Sequence, residues 1–223
     1  MKLMHAYPAV AGVHGVSFGG DQNASRDSTV RRCGCGVVAV TDLLLYLHLR
    51  HEDCRLPPLR SVPLDRSLTQ EQYDKLLSRM RQKYIPIVYP FGTNGFALAA
   101  GLNRFWRRYG APYRARWGVP KALFWETMEQ MLGEDIPVIL SVGMNFPRVW
   151  EQKKLNFYRV SGETSAVSNR VRAHFVVVTG LDEEWMEIST WGKLRYIRRS
   201  EYDEFREQHS GTLLSNLLYV HKI

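Results

Sequence analysis

Hydrophobic residues fill almost every position of the segment from Gly36 to about Arg50. They include Val37, Val38, Val40, Leu44, Leu45, Leu47 and Leu49. A helix without a polar face is buried on all sides, so this pattern predicts a core helix rather than a surface helix. Cys35 stands at the predicted N-terminus of that helix.

Three further helices are predicted in the first half of the chain. Thr69 and Gln72 have the spacing of a capping box, which opens an amphipathic helix that ends near Tyr84. The other two cover about 94–109 and 120–133, and a glycine follows or ends each of them.

Short runs rich in β-branched and aromatic residues, separated by turn signals, dominate the second half and predict strands. The runs cover 136–142, 173–179, 185–189, 193–198 and 217–223. The connections after residue 173 are too short for crossover helices, so neighbouring strands there are predicted to be antiparallel.

Helices first and an antiparallel sheet afterwards describe an α+β fold. With 223 residues, 45% of them hydrophobic, the chain is long enough to bury one substantial core, and a single domain over 1–223 is expected. Within it, residues 1–32 are expected to be irregular, 33–133 mainly helical and 134–223 mainly β-sheet.

The net charge of +8 suits a soluble protein and also attracts anions. No nucleic-acid-binding motif accompanies the charge, so a nucleic-acid partner is not expected. A basic nucleic-acid-binding module is an alternative that the charge alone supports, and a steep salt dependence of binding would be its signature. The start of the chain lacks the apolar core of a signal peptide, and no apolar run approaches the ~20 residues of a membrane span. The odd count of three cysteines does not suggest a disulfide framework, and a cytoplasmic location is expected. The sequence indicates no oligomeric state.

Cys35 and His174 are the candidate catalytic pair. A thiol at a helix N-terminus is exposed to the positive end of the helix dipole and to unpaired N–H groups, which favour the thiolate and can hold an oxyanion. His174 begins a hydrophobic strand, an unusual position for a packing residue. A second strand ends at Ser189 and Thr190, and in an antiparallel pair either hydroxyl could accept the far imidazole N–H.

Several motifs in order carry a resemblance to a known class. They are Cys35-Gly36-Val37-Val38-Ala39, Ile136-Pro137-Val138-Ile139, His174-Phe175-Val176-Val177-Val178-Thr179-Gly180 and Ser189-Thr190-Trp191-Gly192. Together they resemble the papain-like cysteine peptidases, and within them the bacterial peptidases that remove double-glycine leader peptides from bacteriocins. The likeness spans roughly residues 20–200.

The resemblance implies a papain-like fold and cleavage of a peptide or protein substrate through an acyl-thioester, with no cofactor or metal. It assigns Cys35 as nucleophile, His174 as general base and acid, and Gln22 as oxyanion donor. Gln22 lies thirteen residues before Cys35, a longer gap than the family has, and Asn23 is the alternative donor. Where the family has Asn or Asp, this chain has Ser189 or Thr190; Ser189 is predicted to orient His174, with Trp191 covering the bond from the same face.

Other interpretations of these residues stay open. A catalytically silent papain-like domain would bind a peptide or protein through the same groove, and the missing Asn or Asp keeps this alternative alive. His48, His51 and Cys54 form a weaker metal-binding pattern, and a helix of ~1.5 Å rise per residue separates it from Cys35 by nearly 20 Å. Cys33 is interpreted as a packed neighbour rather than a redox partner, because a disulfide ring that small is strained.

Overall fold

The structure is a computed structural model that describes residues 1–13, 15–63 and 67–223. In these residues the chain forms six α-helices and an eight-stranded sheet in which every neighbouring pair is antiparallel. The predicted α+β class is confirmed.

The helices follow the sequence signals closely. They are α1 (Ser28–Cys33), α2 (Cys35–Arg50), α3 (Gln70–Lys83), α4 (Gly95–Tyr109), α5 (Phe124–Gly133) and α6 (Arg199–Phe205), which continues into a π-helical turn over Arg206–Ser210. Both hydrogen bonds of the capping box between Thr69 and Gln72 are present at the start of α3. Gly110 ends α4 in the left-handed conformation, at φ 70°. The helix predicted from residue 120 begins later, with a 3₁₀ turn before α5.

The strands form two sheets. They are β1 (Ala9–Gly12), β2 (Gly15–Phe18), β3 (Leu68–Thr69), β4 (Tyr113–Trp117), β5 (Val138–Val142), β6 (Leu155–Ser161), β7 (Thr164–Val171), β8 (His174–Leu181), β9 (Trp185–Thr190), β10 (Lys193–Arg198) and β11 (Leu217–Lys222). The large sheet has the order β4-β11-β5-β8-β9-β10-β6-β7, and the small sheet has the order β2-β1-β3. The five predicted strands are thus present as β5, β8, β9, β10 and β11.

The first 32 residues are not irregular, which corrects the prediction. They contain β1, β2 and most of α1, and β1 pairs with β3 across more than fifty residues of chain. A strand stabilised by such a distant partner leaves little local pattern. Strand β7 was not predicted for a different reason: it is largely exposed and polar, and it pairs with β6 in a hairpin.

Helix α2 is the centre of the core. Its residues from Gly36 to His48 are all buried, as the continuous apolar pattern predicted. The helix packs on β5 and β8 of the large sheet and is covered by α3 and α4. Its N-terminus comes very close to the start of β8, because a Cβ atom on Gly36 would lie 3.2 Å from Phe175 Cδ2. This contact brings Cys35 and His174 to one place in the molecule.

Among the described residues, no helix has the length and apolar character that crossing a membrane requires.

Candidate active site

The four site residues predicted from the sequence lie together. Gln22, Cys35, His174 and Ser189 all line one small cavity between the N-terminus of α2 and the adjoining ends of β8 and β9. The cavity has a volume of about 10 Å³, which is room for about one water molecule. Cys35 is only half-buried, so part of this residue also reaches the surface.

Cys35 is the first residue of α2, and backbone N–H groups surround its sulfur. Burial raises the pKa of the Cys35 thiol, while hydrogen bonds from the Phe175 and Gly36 backbone N–H groups oppose the rise. This direction is opposite to the one expected from the helix N-terminus, because the cost of placing a thiolate in an apolar site exceeds the help from the N–H groups. Because part of Cys35 is exposed, contact with solvent limits this rise of the pKa.

His174 is the first residue of β8 and is almost fully buried. Its Nε2 lies 2.8 Å from Thr190 Oγ1. Burial lowers the pKa of the imidazole to about 3, so the ring is neutral at neutral pH. If Thr190 accepts the Nε2 proton, Nδ1 has a lone pair to offer to Cys35.

Ser189 does not orient His174, which corrects the predicted register by one residue. Ser189 lies opposite Val177 in the β8–β9 pair, and opposite residues of an antiparallel pair share a face. His174 is an odd number of residues from Val177 and therefore faces the other side, together with Thr190. Ser189 Oγ instead donates a hydrogen bond to the Phe18 carbonyl at 2.8 Å.

Trp191 covers the imidazole from the turn between β9 and β10. The two rings are stacked, with centroids 4.4 Å apart and planes at 20°. Trp191 and Gly192 both have positive φ, 50° and 67°, as two-residue hairpin turns require. A side chain as large as tryptophan adopts this conformation at a cost of about 1–2 kcal/mol. The turn thus holds the indole over His174, where it shields the hydrogen bond to Thr190. Because Trp191 is a turn residue, the alternation of side chains along β9 does not determine which face it covers.

Gln22 is buried and lines the cavity together with Cys35. It begins a short 3₁₀ turn, and its Nε2 donates one hydrogen bond to the Arg31 carbonyl of α1 at 3.0 Å. Its Oε1 is buried and has no hydrogen-bond partner among the described residues. The long gap between Gln22 and Cys35 is filled largely by α1, which anchors the glutamine side chain. The exposed Asn23 does not line the cavity.

Asp42 is a site residue that the sequence reasoning missed. It lies two turns after Cys35 on α2, is 2% exposed and lines the same cavity. Its spacing of seven residues from Cys35 was the available signal, since it places both side chains on one face of the helix. Burial raises the pKa of the Asp42 carboxyl to about 7, although hydrogen bonds from Tyr73 and Gly20 oppose this.

The other two cysteines lie outside the cavity. Cys33 Sγ donates to the Thr29 carbonyl at 3.3 Å, back along α1 and away from α2. Cys54 is buried, and burial raises the pKa of its thiol to about 12. Within the described ranges no group of three or more His, Cys, Asp or Glu side chains is placed to hold a metal ion.

Comparison of the sequence with protein-family models finds no matching family, and comparison with curated proteins finds no matching relative. The function therefore has to be inferred from the side chains around the cavity.

Proposed function

We propose that the protein is a cysteine-type peptidase or amide hydrolase of papain-like character. The observation that carries the proposal is the meeting of Gln22, Cys35 and His174 at one cavity, with Thr190 bonded to the far side of the imidazole. These are a nucleophile, a base, a group that orients the base, and an oxyanion donor. They come from distant parts of the chain.

The reaction would run through an acyl-thioester. The Cys35 proton passes to His174 Nδ1 while the sulfur attacks the carbonyl carbon, and the Gln22 amide holds the resulting oxyanion. The C–N bond then breaks as His174 returns the proton to the leaving amine. Water, giving a proton to His174, attacks the thioester; the C–S bond breaks, the acid leaves and the proton returns to sulfur.

The resting state would hold a neutral thiol and a neutral imidazole. The raised pKa of Cys35 and the pKa of about 3 for His174 both disfavour a preformed ion pair. Proton transfer would therefore accompany attack on the substrate, with the thiolate and imidazolium stabilising each other as they form. Turnover is expected to be slow.

Exposed apolar side chains near the site support a peptide or protein substrate. One group lies on the segment before α4, which touches α1 at Cys33, and on the first turn of α4. The other follows β5, whose last residue pairs with His174. The groups are Val88, Tyr89, Phe91 and Phe96, and Met144, Phe146, Val149 and Trp150. Exposed apolar clusters of this kind mark interaction surfaces. Nucleic acid is not proposed as a partner, and a cytoplasmic location suits the three unpaired thiols.

A silent peptide-binding domain is the second candidate. Two observations favour it: the cavity has room for about one water molecule, and burial raises the Cys35 thiol pKa rather than lowering it. In that case the same apolar surfaces would bind a partner without cleavage.

Active-site titration separates the two candidates. The protein is incubated with a peptide library and, in parallel, with peptidyl electrophiles that need an oxyanion site to react, and intact mass is followed. An enzyme forms one adduct that maps to Cys35 and is absent in Cys35→Ala but kept in the matched control Cys33→Ala. A protein that binds library peptides without adduct or cleavage is the silent domain.

A further inference from the structure

Asp42 is a buried carboxyl that lines the cavity and accepts several hydrogen bonds, and the mechanism above does not use it. The Gly20 N–H lies 3.0 and 3.1 Å from its two oxygens, and Tyr73 donates its phenol proton at 2.8 Å. The Tyr7 hydroxyl lies 3.4 Å away. These partners come from α3 and from the N-terminal part of the chain, so Asp42 joins them to α2.

The segment Phe18–Gln22 is bonded to the sheet from its other side. The Phe18 N–H donates to the Gly192 carbonyl at 2.9 Å, and the Gly192 N–H donates to the Gly20 carbonyl at 3.0 Å. The Phe18 carbonyl receives the hydroxyl of Ser189. The segment is therefore held between the β9–β10 turn and the α2 carboxylate.

Glycine at positions 19 and 20 makes this close approach possible. A Cβ atom on Gly19 would lie 2.4 Å from Asp42 Oδ2, and one on Gly20 would lie 1.9 Å from Tyr73 Oη. Both distances are far inside van der Waals contact. The backbone thus lies directly against Asp42, and Gln22 follows two residues later.

We infer that Asp42 is the positioning residue of the site: its carboxylate anchors the Phe18–Gln22 segment on α2 and so sets the place of the Gln22 amide beside Cys35. The inference rests on the proposed function for its catalytic meaning, but the anchor itself is a structural claim. Asp42 acts through Gln22 and has no role in bond making.

The protonation state of Asp42 would tune the anchor. The titratable groups that face it are Tyr7 and Tyr73, with Cys35 and His174 across the cavity. The ionised carboxylate can accept from Gly20, Tyr73 and Tyr7 together, whereas protonation turns one acceptor oxygen into a donor. Because burial raises the pKa of Asp42 to about 7 while a solvated carboxyl titrates near 4, opening that exposes Asp42 should become easier as pH rises through this range.

The anchor is tested by amide hydrogen exchange, which needs no activity. Asp42→Ala should speed exchange in the peptide that covers residues 18–22 by about tenfold or more, and Asp42→Asn, which keeps an acceptor for Gly20, should speed it less. Thr41→Val is the matched control, since its buried hydroxyl bonds within α2, and it should leave that peptide unchanged. Unchanged exchange in both Asp42 variants would overturn the inference.

The coupling to catalysis is tested by a double-mutant cycle of turnover. Asp42→Asn should slow peptide hydrolysis about tenfold when Gln22 is present and have little further effect in Gln22→Ala, whereas iodoacetamide labelling of Cys35 should stay within about twofold. Additive losses in the cycle would contradict action through Gln22. If the parent protein neither cleaves nor reacts with peptidyl electrophiles, the proposed function fails, while the exchange data still decide the anchor.

Discussion

The Nε2 atom of His174 lies 2.8 Å from the hydroxyl oxygen of Thr190, on the face of the sheet opposite to Ser189. A neutral hydroxyl can fix the tautomer of the imidazole, but it adds no charge to stabilise an imidazolium. The pKa of His174, lowered by burial to about 3, agrees with an environment that supplies no such charge.

Replacing Thr190 with Val removes this hydroxyl while it keeps the shape of the side chain. A neutral hydrogen bond is worth about 1 kcal/mol, so we expect a loss of about five- to tenfold in kcat/KM for peptide hydrolysis. Thr190→Asn offers an amide acceptor and should retain or raise the rate. Steady-state kinetics of the purified variants measures both effects.

Ser189→Ala is the matched control for that series. It removes a hydroxyl of the neighbouring residue, which bonds to the Phe18 carbonyl instead of the imidazole. It should therefore slow hydrolysis less than Thr190→Val does. A Thr190→Val rate equal to that of the parent would show that the imidazole bond to Thr190 has no part in turnover.

The sequence indicated the elements with strong local signals. The unbroken apolar run of α2, the capping box of α3 and the β-branched run of β8 each determine one conformation locally, and all three were found at the predicted places. The other six strands, β1, β2, β3, β4, β6 and β7, were not predicted. Of these, β1 depends on a distant partner and β7 is largely exposed, so neither has a strong pattern of its own.

The sequence predicted several residues that line the cavity, but it missed Asp42 and the partner of His174. The helix start and the strand start identified Cys35 and His174, because both positions are unusual for packing residues. The hydroxyl that bonds to His174 depends on the register between β8 and β9. A bulge between Val178 and Gly180 and the turn at Trp191 set this register, and the local sequence pattern indicates neither. The pKa of Cys35 depends on burial, which tertiary packing alone determines.

Gln22→Ala tests the oxyanion assignment. Loss of one donor to a tetrahedral intermediate commonly costs 10²–10³-fold in kcat, and we expect about 10²-fold here. Asn23→Ala is the matched control, since that neighbouring amide is exposed, and its rate should be unchanged. Single-turnover acylation of Cys35 is the measurement, and equal rates for both variants would remove Gln22 from the mechanism.

Alkylation of Cys35 should depend on pH in a way that reflects its raised pKa. With no substrate bound, labelling by iodoacetamide should be slow at neutral pH and rise about tenfold per pH unit toward alkaline pH, since only the thiolate reacts. Cys33→Ala with Cys54→Ala leaves Cys35 as the one cysteine and simplifies the assay. A rate that is already at its plateau at pH 7 would show that the thiol is ionised and the pKa is depressed.

Acid should destabilise the fold through His174. Its pKa is lowered from an ordinary 6.5 to about 3, so between these values the unfolded chain binds a proton that the native state does not. The free energy of unfolding should fall with decreasing pH in this window, by at most about 1.4 kcal/mol per pH unit. Asp42 works in the opposite sense, since its raised pKa makes stability fall as pH rises from about 4 to about 7.

The comparison that isolates His174 is urea unfolding of the parent and of His174→Gln at several pH values. The difference in free energy of unfolding between the parent and His174→Gln should shrink or reverse as pH falls below 6.5, because only the parent loses stability through the imidazole. Parallel curves over that range would mean that the imidazole is hydrated and titrates normally.

Replacing Trp191 should raise the pKa of His174 toward its ordinary value. The indole is stacked on the imidazole at a centroid distance of 4.4 Å and keeps water from it. Trp191→Asn removes this cover and suits the positive φ of the position, so the backbone turn should persist while the ring becomes hydrated. Titration of the His174 Cε1 resonance by NMR measures the change, with Trp185→Phe, a substitution on the same strand pair but away from the cavity, as the control. An imidazole pKa that stays near 3 in Trp191→Asn would show that other core residues, and not the indole, keep water from His174. Phe157 is one of these, with its ring centroid 6.4 Å from that of His174.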